Sequence, residues 1–119
     1  MISAFEGAFG SAGNRVVLEE KLVGPEVSLF ALCDGDTVRP LGTARDYKRA
    51  FDGDLGPNTG GMGAVSPAPG VSSELVADTM ARVVRPAIDG LRAEGSPYVG
   101  VIYAGLMLTT HGPKLIEFN

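Results

Sequence analysis

Two oxygen-bearing side chains, Glu117 and Asn119, lie two residues apart near the end of the chain. Residues 114–118 alternate in polarity like a β-strand, and side chains two residues apart on a strand share one face, about 7 Å apart at the backbone. A carboxylate and an amide carbonyl are hard oxygen ligands that suit Mg²⁺ held jointly with phosphate oxygens. On spacing alone a solvated strand face is the simpler interpretation, so this metal site is a hypothesis that needs support from elsewhere in the chain.

An acidic stretch, residues 19–26, separates two strand-like segments in the first third of the chain. A strand that leaves its neighbour at Glu19 and turns at Gly24-Pro25 exposes backbone N–H and C=O groups. Such groups can bind the edge of a flat heterocycle, and the carboxylate of Glu26 can then reach a sugar hydroxyl. An acidic hairpin at the surface would have the same composition, so both interpretations stay open for this segment alone.

A glycine-rich segment, residues 51–69, reads FDGDLGPNTGGMGAVSPAP and has five glycines within eleven residues. Glycine adopts positive φ at low cost and lets a ligand approach the backbone closely. The charged side chains of Asp46, Lys48 and Arg49 lie just before it. Cations that lead into exposed backbone N–H groups favour an anion site. An ordinary surface loop with turn chemistry is the alternative.

Alternating and β-branched segments predict the strands that would hold these groups. Alternate residues from Val27 to Cys33 share one face, and Asp34-Gly35-Asp36 is a hairpin signal because Asp-Gly supplies positive φ. Pro40 in the partner strand indicates an edge position or a strand end. Residues 98–109 are apolar on both faces and predict a central strand covered by a helix on one side. The predicted strands are 15–18, 26–34, 37–45, 63–66, 98–109 and 114–118.

One long helix is predicted between residues 73 and 94. Ser72 or Ser73 can cap it, and apolar residues recur at helical spacing along it. Pro86 removes one backbone hydrogen bond and predicts a kink over residues 82–85, and Gly95 ends the helix. Residues 2–9 also read as the last turns of a helix. The strands and the long helix together predict an α+β fold, a mostly antiparallel sheet backed by one long helix.

Length and composition predict one small domain with its own core. The net charge of −4 argues against a basic nucleic-acid-binding face. No apolar run is long enough to span a bilayer, and the chain does not start with a leader of the secretory type. Cys33 is the only cysteine, which excludes an intrachain disulfide and makes a cysteine-type zinc site unexpected. These features favour a reducing compartment and predict a cytoplasmic location.

The order of the features is more specific than any one of them. Four segments carry a resemblance to a known family: VVLEEKLVGPEVSLFAL, RDYKRAFDGDLGPNTGGMGAVSPAP, YVGVIYAGLM and LIEFN. From about residue 9 to residue 119, the chain resembles the glycinamide ribonucleotide synthetases, or phosphoribosylamine–glycine ligases, of the ATP-grasp superfamily. Members of that family use ATP to join glycine to 5-phosphoribosylamine in de novo purine biosynthesis, and they first phosphorylate the glycine carboxylate.

The resemblance implies a role for each polar group. The segment before β-strand 26–34 would act as a hinge whose backbone binds adenine, while Glu26 binds the ribose. The ATP-contacting residues would therefore be Glu19, Glu20, Leu22 and Glu26. Glu117 and Asn119 would hold Mg²⁺ or Mn²⁺ on the ATP phosphates, and no residue is assigned a catalytic role. The substrate and phosphate side would be lined by Asp46, Lys48, Arg49, Asn58, Thr59, Gly60, Gly61, Met62 and Gly63.

The same resemblance implies that residues 1–119 form a partial ATP-grasp domain, similar to its C-terminal half, because enzymes of this family are several times longer. We therefore expect no ligase activity, and weak or no binding of Mg·ATP, from this chain alone. Another ATP-grasp carboxylate–amine ligase is one alternative, and a non-catalytic domain that self-associates through its apolar surface is another. The expected partners are glycine and 5-phosphoribosylamine in the whole enzyme, or a second copy of the chain, but neither nucleic acid nor a membrane.

Overall fold

A five-stranded antiparallel sheet is the centre of the protein, and the computed structural model describes residues 4–119. The strands of this sheet are β1 (Glu26–Asp34), β2 (Val38–Asp46), β5 (Ala64–Val65), β6 (Val99–Thr109) and β7 (Gly112–Phe118). Their order is β5-β2-β1-β6-β7, so β1 and β6 are interior strands. A separate hairpin consists of β3 (Arg49–Phe51) and β4 (Leu55–Asn58). This architecture and the bounds of β1 confirm the predicted α+β class and the strand over 26–34.

The turn between β1 and β2 is the predicted Asp-Gly hairpin. Gly35 has φ +105°, and the Asp34 carboxylate accepts hydrogen bonds from the backbone N–H groups of Asp36 at 3.0 Å and Thr37 at 2.7 Å. Farther along β2, Pro40 pairs with Ala31 at a register shift. The outer neighbour β5 reaches only the last two residues of β2, so Pro40 lies on an open edge as predicted.

The long helix is interrupted by a wider turn, because α1 (Ser73–Thr79) and α2 (Arg85–Ala93) are joined by a π-helical turn (Met80–Val84). The Ser72 hydroxyl caps α1 by accepting from the N–H of Leu75 at 3.2 Å. The kink predicted from Pro86 takes the form of this π-helical turn. Because the turn ends just before α2, Pro86 lies in the first turn of α2, where its missing N–H costs no helical hydrogen bond. Gly95, with φ +76°, ends the helix as predicted.

The hydrophobic core lies between the helix and one face of the sheet. Alternate residues of β1 are buried, as their shared face predicts, and the paired residues of β6 extend the same face. Burying one Leu or Ile side chain contributes about 1.5–3 kcal/mol. Because the helix covers only this face, the opposite face stays open. It carries Glu26 and Ser28 at one end of β1, and the exposed pair Leu32 and Val101 toward the other. The core residues of these elements are Val27, Leu29, Ala31, Cys33, Val84, Ile88, Ile102, Ala104 and Leu106.

The predicted strand over residues 15–18 is wrong. These residues carry no strand, and within the described part of the chain none of the paired strands includes them. Val17 and Leu18 are 83% and 74% exposed. A β-branched sequence fits a pleated surface only when a neighbouring strand supplies hydrogen-bond partners, and no strand described in residues 4–119 pairs with this segment.

The β3–β4 hairpin overlaps the start of the glycine-rich segment, where no strand was predicted before residue 63. Its turn contains Asp54 at φ +60° and Gly53 at φ +72°, so Asp52-Gly53 supplied an unused hairpin signal. Gly56 and Pro57 in β4 interrupt the alternation of polar and apolar residues that would have indicated a strand. At the amino end, Ala4–Ala8 is a single helical turn that Gly7 breaks, and residues 2 and 3 of the helix end predicted over residues 2–9 lie outside the described residues. No helix within residues 4–119 has both the length and the apolarity needed to cross a bilayer.

Truncating Ile88, which is fully buried between the helix and the sheet, should weaken the fold. We expect Ile88→Ala to lower the free energy of unfolding by about 2–5 kcal/mol, because it removes apolar contacts and leaves a cavity. Leu41→Ala is the matched control, since Leu41 is 64% exposed and should change stability by less than about 0.5 kcal/mol. Urea unfolding of the three proteins measures both values, and equal losses would contradict the described core.

Acidification should weaken the β1–β2 turn. Hydrogen bonds from the backbone N–H groups of Thr37 and then Asp36 hold the pKa of Asp34 below its ordinary value. A carboxyl group with a lowered folded-state pKa stabilises the fold above its ordinary pKa, and this contribution is lost as the pH falls through the lowered value. NMR titration of the Asp34 carboxyl carbon measures the pKa directly. Asp34→Asn, which accepts hydrogen bonds but does not titrate, should lack this component of acid sensitivity. A pKa at or above the ordinary value would contradict the turn geometry.

Candidate functional site

A cleft lies on the face of the sheet that the helix leaves open. It consists of three adjoining depressions with volumes of about 410, 220 and 370 Å³. Glu26 lines all three, while Met107 joins the first to the third and Ile116 joins the second to the third. The depressions therefore form one surface around the start of β1, which is large enough for a small organic molecule.

The hinge segment forms one wall of this cleft. Residues 21–25 line the first depression, and Glu19, Glu20 and Leu22 line the third together with Ile116 of β7. Two contacts hold the segment near the sheet. The carbonyl of Pro25 accepts from the N–H of Leu108 at 2.9 Å, and Glu20 lies 3.9 Å from the ammonium of Lys114.

Gly24 is the point where the hinge packs against the end of β6. Its φ is +156°, and a Cβ atom built on it would collide with the backbone carbonyl of Leu108. Only glycine fits this close approach of two backbones. The position of the hinge relative to the cleft therefore depends on the absence of a side chain at residue 24.

The floor of the cleft comes from alternate residues of β1, β6 and β7. Glu26 pairs with Met107 and Ser28 with Gly105, and Glu117 of β7 lies opposite Gly105 on its other side. These residues are therefore on one face. Glu117 lines the second depression with Lys48 and Asn58. The structure thus brings Glu26 and Glu117 to the same cleft as the hinge.

Asn119 has a different environment from Glu117. Its backbone N–H and C=O exchange hydrogen bonds with Tyr103 at 3.0 and 2.8 Å, so it continues the ladder of β7 beside β6. It lines an apolar depression beside the helix, with Ala87, Leu91 and Phe118, and is not among the residues that line the cleft. Whether Asn119 shares a metal ion with Glu117 stays a prediction.

The basic segment faces the hinge across the first depression. Four cationic and three acidic side chains line this depression. Lys48 pairs with Asp46 at 3.8 Å, and Arg49 donates to the carbonyl of Gly56 at 2.6 Å, which braces the β3–β4 hairpin. Exposed ion pairs are weak, so these cations can exchange their partners for an anionic ligand. The charged residues of this depression are Lys21, Glu26, Arg45, Asp46, Lys48, Arg49 and Asp54.

The glycine-rich loop uses its backbone groups to hold the basic segment. The N–H of Thr59 donates to the carbonyl of Lys48 at 2.6 Å, that of Met62 to Tyr47 at 2.7 Å, and that of Gly61 to the Thr59 hydroxyl at 3.1 Å. These three N–H groups are therefore not available to an anion in this arrangement.

Of the loop residues predicted to contact substrate, only Asn58 is among those that line the cleft. Gly61 packs against Asp46, whose carboxylate oxygen lies 2.9 Å from the position of an added Cβ. The loop therefore positions Asp46 and Lys48, and the substrate-binding assignment of Thr59, Gly60, Gly61, Met62 and Gly63 stays a prediction.

Several lining residues were not singled out from the sequence. Ser28, Tyr103, Gly105 and Met107 line the floor of the cleft. Ser28 shares its face of β1 with Glu26, so alternation could have found it, whereas the β6 residues required the register between strands. Arg45 was missed as well; its guanidinium lies 4.8 Å from the centre of the Tyr47 ring.

Residues 2–119 match the model of the family described as phosphoribosylglycinamide synthetase, ATP-grasp (A) domain. The chain belongs to this family. The resemblance drawn from its sequence segments is therefore confirmed, and so is the likeness of its fold to ATP-grasp proteins.

Curated relatives named phosphoribosylamine–glycine ligase match nearly the whole chain. The protein from Brucella melitensis is 56% identical over 117 residues, and that from Phenylobacterium zucineum is 59% identical over 116 residues. In both cases the match covers 98% of this chain and 27% of the relative. The chain therefore spans about 27% of the length of these relatives.

Two solved structures are similar to this fold. The crystal structure of phosphoribosylamine–glycine ligase from Thermotoga maritima has a TM-score of 0.72 and 38% identity, covering 85% of this chain and 25% of that one. An L-amino acid ligase from Bacillus licheniformis has a TM-score of 0.51 and 20% identity, covering 83% of this chain and 23% of that one. The second likeness concerns the fold alone.

Adding a methyl group at residue 24 should lift the hinge from β6. We expect Gly24→Ala to lower the free energy of unfolding by about 1–3 kcal/mol, because the new Cβ overlaps the carbonyl of Leu108. Gly90→Ala is the matched control: nothing lies within 4 Å of its added Cβ in α2, and alanine favours a helix by up to about 1 kcal/mol. Urea unfolding should therefore shift in opposite directions for the two variants, and a stabilised Gly24→Ala would contradict the hinge packing.

Proposed function

We propose that this chain forms part of the ATP site of a ligase that joins glycine to 5-phosphoribosylamine. The main observation behind the proposal is that the hinge and Glu117 line one cleft. Glu26 lines both the third depression, beside the hinge, and the second depression, which Glu117 also lines. The family match and the names of the relatives supply the substrates. A different carboxylate–amine ligase is less well supported, because the L-amino acid ligase shares only the fold.

The hinge would bind the base of the nucleotide. The backbone N–H and C=O groups of Glu19, Glu20 and Leu22 take part in none of the backbone hydrogen bonds described for residues 4–119, so they can pair with the edge of adenine. Glu26 lines all three depressions, so its carboxylate can accept a hydrogen bond from a ribose hydroxyl. This arrangement would direct the phosphates toward Lys48 and Glu117.

The oxygen donors fit a divalent cation that is shared with phosphate. Within residues 4–119 no cluster of three or more His, Cys, Asp and Glu side chains could hold a metal by itself. Mg²⁺ commonly binds one or two protein oxygens together with phosphate oxygens and water. Glu117, with Asn119 as its proposed partner, would hold Mg²⁺ or Mn²⁺ in this way. The bound cation would neutralise charge on the phosphate oxygens.

The reaction of the whole protein would proceed in two displacements. A carboxylate oxygen of glycine would attack the γ-phosphorus of ATP, forming a glycyl phosphate and releasing ADP. The amine of 5-phosphoribosylamine would then attack the acyl carbon, losing a proton as inorganic phosphate leaves. Lys48, Arg49 and Arg45, which line the first depression, would offset the negative charge that gathers there.

We infer a cytoplasmic step of de novo purine biosynthesis, in which this chain supplies the hinge and Glu117 while the remaining length of the relatives has no counterpart in it. The chain alone is expected to release no phosphate from ATP, glycine and 5-phosphoribosylamine.

NMR titration of this chain with Mg·ATP tests the site. We expect roughly millimolar affinity, with shifts at the hinge and at β1 and β7, because one wall of the cleft supplies only part of the binding energy. Glu26→Gln and Glu117→Gln should each weaken binding by about tenfold, since each removes a charged partner. Glu94→Gln is the matched control, because Glu94 lies in the apolar depression beside the helix. Shifts confined to the helix side, or equal effects of all three variants, would contradict the proposal.

A further inference from the structure

Tyr103 lies between β1 and β7 on the cleft face of β6. It pairs with Phe30 of β1, and its backbone N–H and C=O form both hydrogen bonds to Asn119, at 2.8 and 3.0 Å. The backbone of Tyr103 therefore fixes the position of Asn119 in the ladder beside β6. Its side chain lines the same depression as Glu117.

Two residues of β1 determine the direction of the Tyr103 ring. The ring packs edge-to-face on Phe30, with centroids 5.5 Å apart and planes at 65°, and the Ser28 hydroxyl donates to the phenol oxygen at 3.3 Å. Phe30 and Ser28 are successive residues on one face of β1. The ring therefore points along β6 from Tyr103, which pairs with Phe30, toward Gly105, which pairs with Ser28, and it lies over Gly105.

Gly105 provides the space that the ring occupies. A Cβ atom at Gly105 would lie 3.2 Å from the Tyr103 ring and 3.3 Å from the phenol oxygen. The same point lies 3.3 Å from Cγ of Glu117, the residue opposite Gly105 in β7. The Tyr103 ring and the Glu117 stem therefore border the same small space above Gly105.

We propose that Tyr103 is a positioning residue for Glu117 and Asn119, and that Gly105 is required for this role. The ring prevents the Glu117 stem from folding back over the sheet, so the carboxylate is held out in the cleft. The backbone of the same residue holds Asn119. The role of the two held side chains as metal ligands rests on the proposed function, whereas the positioning of Glu117 can be measured without a ligand.

The test is the side-chain conformation of Glu117 in this chain without a ligand. Three-bond NMR couplings across its Cα–Cβ and Cβ–Cγ bonds should indicate one predominant rotamer in the wild type. Tyr103→Phe keeps the ring and should keep these couplings, whereas Tyr103→Leu should give averaged values. Gly105→Ala should also change them, because the added methyl group enters the shared space.

Tyr98→Leu is the matched control. Tyr98 comes directly before β6, but it lines the apolar depression beside the helix. Its hydroxyl donates to the carbonyl of Val101 at 2.8 Å. This variant should leave the Glu117 couplings unchanged even if it lowers stability. Wild-type couplings of Glu117 in Tyr103→Leu would overturn the proposal, and so would equal effects of the two leucine variants. Averaged couplings in the wild type would overturn it without any variant.

A second measurement separates this inference from the proposed function. Paramagnetic broadening by Mn²⁺ in the presence of ATP should reach Glu117 in the wild type, and the apparent dissociation constant should rise by about tenfold in Tyr103→Leu. Absence of broadening near Glu117 in the wild type would contradict the proposed metal site, while the ligand-free couplings would still decide the role of Tyr103. Equal affinity in wild type and Tyr103→Leu would show that the positioning does not contribute to metal binding.

Discussion

The one-sided covering of the sheet is the constraint on which the rest of the structure depends. The helix packs only on the face of β1 and β6 that carries Leu29 and Leu106, and the two strands pair over nine consecutive residues of β1. Because side chains alternate along a strand, the ladder that buries Leu29 also directs Ser28 and Phe30 to the opposite face. The open cleft is thus a direct consequence of the same pairing that builds the core.

The hinge illustrates how an irregular segment can be held in place without pairing as a strand of the sheet. Val17 and Leu18, which precede the hinge, are exposed and add little to the core, so its position depends on the close approach of Gly24 to Leu108 and on the hydrogen bond from Leu108 to Pro25. A segment with so few contacts keeps polar backbone groups accessible to a ligand. It also opens at a lower free energy than the core.

The glycine-rich loop has a structural role beside any role in binding. Its backbone N–H groups donate to carbonyls of the preceding basic segment and to the hydroxyl of Thr59 in the loop itself. These hydrogen bonds hold the backbone of Lys48 and Asn58 in place beside the cleft. The side chains, rather than the glycine backbone, then face the cleft. Charge in the first depression is mixed, which suits a ligand that carries both an anionic group and hydroxyl groups.

Local patterns by themselves determined β1, the Asp34-Gly35 turn and the capped helix, because each depends on residues that are close in sequence. The family followed from the order of four sequence segments, which needs no tertiary contact. The segment over residues 15–18 could not be assigned in this way, since a strand exists only where a neighbour pairs with it. The partnership of Tyr103, Gly105 and Glu117 depends on the register between β6 and β7, which includes a shift beside Gly105. Sequence spacing placed Glu117 and Asn119 on one strand, but only the packing of three strands and the helix decided that Glu117 lines the cleft.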